Sequence, residues 1–142
     1  MPAPLTDIGK LSHQIIEFYE KISSWEQAVV RGTGLSPAQM HAIEIVGHDV
    51  PLRMKELAEK IGVTTGSLTV MIDRLERQGL LRRQPNETDR RSCLIALTEK
   101  GEKLFGEHHH YHLRLTQEIT ASLSPEEQEL FSDLLARVLQ RM

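Results

Sequence analysis

The amino-acid sequence predicts a mainly α fold: a winged helix-turn-helix, three helices plus a β-hairpin wing, carried between N- and C-terminal helices. Three observations predict it. An apolar stripe at helical spacing opens the chain, two short helices separated by a glycine turn occupy its middle, and two short strand candidates then flank the turn-rich stretch Pro85–Asp89. With 142 residues, 39% of them hydrophobic, the chain can bury one sizeable core. A single domain, 1–142, is therefore expected, with 36–98 as the winged part and 1–31 and 99–142 as helical arms.

From Leu5 to about Val30, Ile8, Leu11, Ile15, Phe18 and Ile22 recur at three and four, the stripe of one long helix. Arg31-Gly-Thr-Gly34 breaks it. Ser36-Pro37-Ala38-Gln39 then supplies an N-cap, a proline at the first helical position and a capping-box glutamine, so a second helix should run to about His48. After Asp49-Val-Pro51, Met54 to Ile61 forms a short amphipathic helix on Leu57, Ala58 and Ile61, closed by Gly62. Thr64 and Thr65 can cap a fourth helix that turns Leu68, Met71, Ile72 and Leu75 inward and Thr65, Ser67, Thr69, Val70 and Arg74 outward, ending at Gln78-Gly79. Leu80 to Arg83 and Ser92 to Leu97 are the strand candidates. Thr98 caps a fifth helix to about Ser122, and Ser124-Pro125-Glu126-Glu127 is a second capping box that opens a sixth.

Charge is divided along the chain. Residues 53–91 hold nine Lys/Arg against six Asp/Glu, a net of +3, whereas the remainder holds eight against fourteen, −6, giving the overall −3. A basic middle between acidic arms suggests that a polyanion meets the centre. The single cysteine, Cys93, excludes a disulfide framework and a CxxC motif. It should be a small buried hydrophobe on an alternating apolar face with Ile95 and Leu97. No apolar run is long enough to span a membrane and the first ten residues lack a secretory pattern, so a soluble cytoplasmic protein without membrane partners is expected. An enzyme is not expected. No Walker motif, dinucleotide loop, nucleophile elbow or HExxH occurs, and a zinc hydrolase built on the histidines would lack a placed base.

A helix of this kind fits the major groove of duplex DNA, its N-terminal side chains reaching base edges while a neighbouring arm adds minor-groove and phosphate contacts. Thr64, Thr65, Ser67 and Thr69 are small hydroxyls at that N-terminus; Arg74 follows on the outward face, and the arm supplies Arg90 and Arg91. Double-stranded DNA is the expected partner.

The stretches Leu57-Ala-Glu-Lys-Ile-Gly-Val-Thr64, Ile72-Asp-Arg-Leu-Glu-Arg-Gln-Gly-Leu80 and Asp89-Arg-Arg-Ser-Cys-Leu-Ile-Ala-Leu-Thr-Glu-Lys-Gly101 resemble the MarR family of bacterial winged-helix regulators. The resemblance implies a transcriptional repressor that binds its operator as a homodimer, paired through the first and last two helices. It also implies that Asp89 orients Arg91 for the minor groove. Val70 departs from the Arg or Lys that many relatives carry there, so recognition should lean on hydroxyls, a thymine methyl contact and the wing.

Glu107-His-His-His-Tyr-His112 lies in the fifth helix, where His108 and His112 are four apart and share a face. Two imidazoles so spaced can bind one zinc, which needs two further donors. His41 and Glu26 are the best candidates, and His41, Glu44 and His48 form a competing group along the second helix. The His run is similar to that of the zinc-sensing AdcR/ZitR branch of the family. That likeness implies Zn2+ at Glu26, His41, His108 and His112, with Glu107 the survivor of a secondary site, and operator binding promoted by the metal. An alternative input is a small phenolic or aromatic ligand that releases DNA; Trp25 and Tyr19 are read as packing residues near the dimer region, with the lining of the aromatic pocket that other MarR proteins use as their alternative role. His13 is read as a face residue of the first helix.

Overall fold

The structure is a computed structural model that describes residues 7–49 and 51–142. Leu5, the expected start of the first helix, and Val50 lie outside the described residues. The chain divides into two compact units, Met1–Gly101 and Glu102–Met142.

In the first unit, α1 (Ile8–Arg31) starts at Asp7, whose carboxylate accepts the Lys10 N–H at 3.1 Å. α2 (Pro37–His48) carries the expected reciprocal capping box, Ser36 with Gln39. Then come β1 (Leu52–Arg53), α3 (Met54–Ile61) and α4 (Thr65–Arg77). Gly62 ends α3 at φ +81°, a left-handed conformation that a residue with a Cβ adopts only under strain, and this is what turns the chain sharply into α4. Leu57, Leu68, Ile72 and Leu75 are fully buried together with Met40 and Ile43 of α2, so the inward faces of α2, α3 and α4 make one core.

β2 (Leu81–Pro85) and β3 (Cys93–Leu97) form the wing hairpin. Leu52 and Arg53 add a third strand, giving an antiparallel sheet of order β1-β3-β2 with Leu52 opposite Ile95 and Leu81 opposite Leu97. Two residues are too few to show a period, which is why β1 is invisible in the sequence. As the central strand, β3 buries Ile95, Ala96 and Leu97 in succession instead of alternating, and Cys93, at its far end opposite Pro85, is half-buried. The expected alternating face with a buried thiol is corrected accordingly.

α5 (Glu99–Ile119) begins in the first unit, where Thr98 Oγ1 accepts the Gly101 N–H at 3.0 Å. Gly101 is required there: a Cβ would stand 2.0 Å from the Leu80 carbonyl oxygen. In the second unit α5 ends slightly before the expected Ser122, and Thr120 to Leu123 form a turn into α6 (Pro125–Leu139). Ser124 and Glu127 close the expected capping box, and the Gln128 side-chain amide donates to the Thr120 and Leu123 carbonyls. α6 buries no residue and leaves Leu130, Leu134, Val138 and Leu139 exposed. Among the described residues no helix is long and apolar enough to cross a membrane.

Candidate nucleic-acid interface and metal ligands

Thr64 is committed to the backbone: its Oγ1 accepts the Ser67 N–H at 3.1 Å as the N-cap of α4, and its hydroxyl donates to Ser67 Oγ. Thr69 Oγ1 donates to the Thr65 carbonyl at 2.8 Å, which leaves its methyl and its lone pairs facing outward. Thr65, Ser67, Thr69, Val70 and Arg74 are all exposed, as their outward assignment requires. With no cation before Arg74, the first two turns of α4 can offer bases only hydroxyls and methyl groups.

The wing tip is built from side-chain-to-backbone turns. Asn86, nearly buried, accepts from both the Thr88 N–H and the Thr88 hydroxyl and donates from Nδ2 to Ser92 Oγ at 3.0 Å. Asp89 accepts the Arg91 backbone N–H at 3.0 Å. Asp89 therefore shapes the chain that carries Arg91, acting through the backbone, while the Arg90 and Arg91 side chains remain exposed.

Thr65, Arg91, Arg53, Lys55 and Cys93 line a single open cleft of about 600 Å3 between α3, the start of α4 and the wing. The recognition helix and the arginine arm thus address the same side of the unit. Arg53 and Lys55 escape a sequence reading based on α4 and the wing; their signal is two cations at a helix N-terminus, Arg53 at the N-cap and Lys55 in the first turn. The Arg53 Nε donates to Glu56 Oε1 at 2.7 Å, and the Arg53 N–H reaches the same oxygen. These bonds hold the Glu56 carboxyl below its ordinary pKa and raise that of the guanidinium. Two nitrogens of Arg53 remain available for a phosphate.

The expected metal ligands fall in both units. In the first, Glu26 of α1 and Glu44 of α2 are half-buried and present carboxylate oxygens within 4.8 Å of each other. His41 is exposed. At about 100° per residue His41 lies well off the direction of fully buried Met40, while Glu44 lies about 40° from it. In the second unit, buried His108 and half-buried His112 bring their Nε2 atoms to 3.0 Å with rings edge to face. Two ligands of a tetrahedral zinc stand about 3.3 Å apart, so this pair is close to a chelating geometry. Glu107 and His13 are exposed. Trp25 is half-buried and Tyr19 exposed, and neither lines a cleft of the first unit beside the wing.

Fold and interface together define a winged-helix, DNA-binding class of protein. The MarR family model matches residues 35–93. HTH-type transcriptional regulator MhqR of Bacillus subtilis is 31% identical over 120 residues, 84% of this chain and 83% of that one. A second Bacillus subtilis protein, the uncharacterized HTH-type transcriptional regulator YfiV, is 34% identical over 110 residues, 75% and 68% of the two chains. Among solved structures, Streptococcus pneumoniae FabT in complex with DNA superposes with a TM-score of 0.85 at 25% identity, covering 94% of this chain and 96% of that chain. The chain belongs to the MarR family and is a DNA-binding transcriptional regulator. Its relatives are regulators, not enzymes, in keeping with the absence of a catalytic signature.

Proposed function

We propose that the chain acts as a cytoplasmic homodimeric repressor that binds operator DNA sequence-specifically and binds it more tightly when loaded with zinc. The observation that carries the DNA part is the shared cleft of Thr65 and Arg91, which lets one duplex meet both the groove-entering helix and the wing. The exposed stripes Ile8, Leu11, Ile15 on α1 and Leu130, Leu134, Val138 on α6 support pairing with a second copy, because so much aliphatic surface at helical spacing calls for cover.

For the metal, the donor chemistry fits Zn2+. Glu26 and Glu44 of the first unit each offer a carboxylate oxygen, and His108 and His112 of the second each offer an imidazole nitrogen, which are the donor types that a tetrahedral zinc takes without a thiolate. In this reading Glu44 supplies the α2 donor that His41 was expected to give. Bound there, zinc would cross-link helices of the regulator and favour the dimer state whose recognition helices match successive major grooves. The His108 and His112 rings need their Nδ1 atoms protonated to offer both Nε2 lone pairs, and the two carboxylates offset the ionic charge. The likeness of the fifth-helix His run to that of the zinc-sensing branch of the family supports this reading.

Metal analysis of the untagged protein tests the site. Stoichiometric zinc should be lost in Glu44→Ala and in His108→Ala/His112→Ala but retained in His41→Ala; retention in Glu44→Ala with loss in His41→Ala would restore the histidine as ligand. Anisotropy titrations of an operator duplex should tighten on adding zinc by about 5- to 150-fold, the range of ordinary allosteric coupling. Affinity indifferent to zinc would return the input to a small aromatic effector.

A further inference from the structure

We propose that Arg83 is a positioning residue that fixes the wing against the recognition helix, so that operator specificity depends on a residue that reads no base. Arg83 sits on β2 opposite Ile95 of the central strand, and strand alternation points it away from its exposed neighbour Arg82. Its Nη2 donates to Asp73 Oδ1 at 2.7 Å and its Nη1 to Glu76 Oε1 at 2.9 Å. Its backbone N–H donates to the other Glu76 oxygen at 3.1 Å. Asp73 and Glu76 are three apart on α4 and so lie on one face. One guanidinium is therefore gripped by two carboxylates of the recognition helix, and its side chain is 28% exposed. The hydrogen bond to Asp73, ahead of the other contacts, raises the guanidinium pKa.

Among the described residues, the exposed pairs Lys21 with Glu17, Arg53 with Glu56 and Arg114 with Glu118 join residues three or four apart on the same stretch. Such pairs stiffen one element and contribute little. Arg83 instead joins two elements that must each meet the duplex, α4 through Thr65, Ser67 and Thr69 and the wing through Arg91. A planar fork held at both arms fixes distance and angle together, which a single lysine bond does not. Preset geometry of this kind lowers the cost of ordering on binding and favours the sequence that both elements can contact at once.

The proposal rests on the DNA-binding reading, and its test separates the two. Full-length Asp73→Asn/Glu76→Gln is compared with wild type by anisotropy on an operator selected in vitro by the wild type and on a random-sequence duplex. Removing two negative charges makes the regulator more cationic, so simple electrostatics predicts tighter binding to both duplexes. The clamp predicts the opposite for the operator: a loss of about tenfold, while random-sequence binding holds or rises. Arg91→Ala should also cost clearly less in this background than in wild type, a non-additivity that a purely structural role would not produce. Arg83→Lys, which keeps the charge and one bond, should lose specificity by a few-fold, and it serves as the test if the double variant fails to melt cooperatively. Parallel tightening on both duplexes, or an undiminished Arg91→Ala effect, overturns the clamp. A wild type that enriches no sequence in the selection and does not bind the random-sequence duplex overturns the DNA reading itself.

Discussion

The two units of this chain solve opposite problems. In Met1–Gly101 the inward positions of α2, α3, α4 and the sheet are sealed, Met40, Ile43, Leu57, Leu68, Ile72 and Leu75 all being fully buried, while α1 leaves Ile8, Leu11 and Ile15 exposed. In Glu102–Met142, α6 has the same amphipathic character but buries nothing, and Leu139 is 65% exposed. The first unit can hold its shape by its own packing, as a reading head must if its side chains are to meet base edges in fixed register. The second carries apolar surface that stabilises something only when covered, which is the property of an assembly element. Identical substitutions in the two units should therefore have different signatures. Leu75→Ala, in the sealed core, should cost about 2–5 kcal/mol in thermal or denaturant unfolding, with little dependence on protein concentration. Leu134→Ala on α6 should change the concentration dependence of the melt instead. Equal, concentration-independent losses in both would erase the contrast.

The junction between β2 and α5 gives the next largest effect. Gly101→Ala would force a Cβ against the Leu80 carbonyl oxygen, where backbone and not a flexible side-chain end must yield. Overpacking of this kind costs about 1–3 kcal/mol. It should also disturb the Thr98 cap, since Thr98 N–H donates to that same carbonyl. A melt within experimental error of wild type would mean that the start of α5 is free to slide.

Arg91→Ala probes the reading head without touching its core. Losing an inserted or phosphate-bound arginine should weaken operator binding by about 1–3 kcal/mol and lower the salt slope by about one, with the melting temperature unchanged. Unchanged affinity in a titration would reject the wing as a DNA contact.

What the sequence made legible was what depends on near neighbours. The two Ser-Pro capping boxes, the ends of α3 and the outward face of α4 are set by side chains within three or four positions, and all appear as expected. Features that need the chain to return did not show. β1 exists because Leu52 finds Ile95, and Arg83 finds its carboxylates seven and ten positions back only because the turn at Gly79 brings β2 alongside α4. The metal candidates mark the boundary: His108 and His112 are legible as an i, i+4 pair, whereas the choice between His41 and Glu44 depends on the rotation of α2 about its axis, a property of core packing at Met40 and Ile43. The clamp on Arg83 was likewise hidden in a stretch whose cations read as general wing charge.

The smallest effect lies at Glu56, and its sign is fixed. The hydrogen bond from Arg53, more than any other contact, lowers the Glu56 pKa in the folded protein. The ionised carboxylate therefore contributes to stability above the unfolded value of about 4.3, and that contribution is lost as pH falls through the lower folded value. Both side chains are largely in water, so the stability change will be slight and screened by salt. It is better read at the residue. A carbon-detected NMR titration of the Glu56 carboxyl should give a midpoint below about 4.3, returning toward that value in Arg53→Met. Because Glu56 stays ionised from pH 6 to 8, its titration should leave operator affinity flat across that range. A Glu56 midpoint at the ordinary carboxylate value would show that Arg53 is not held by this pair in solution, leaving the whole guanidinium to the solvent and to DNA.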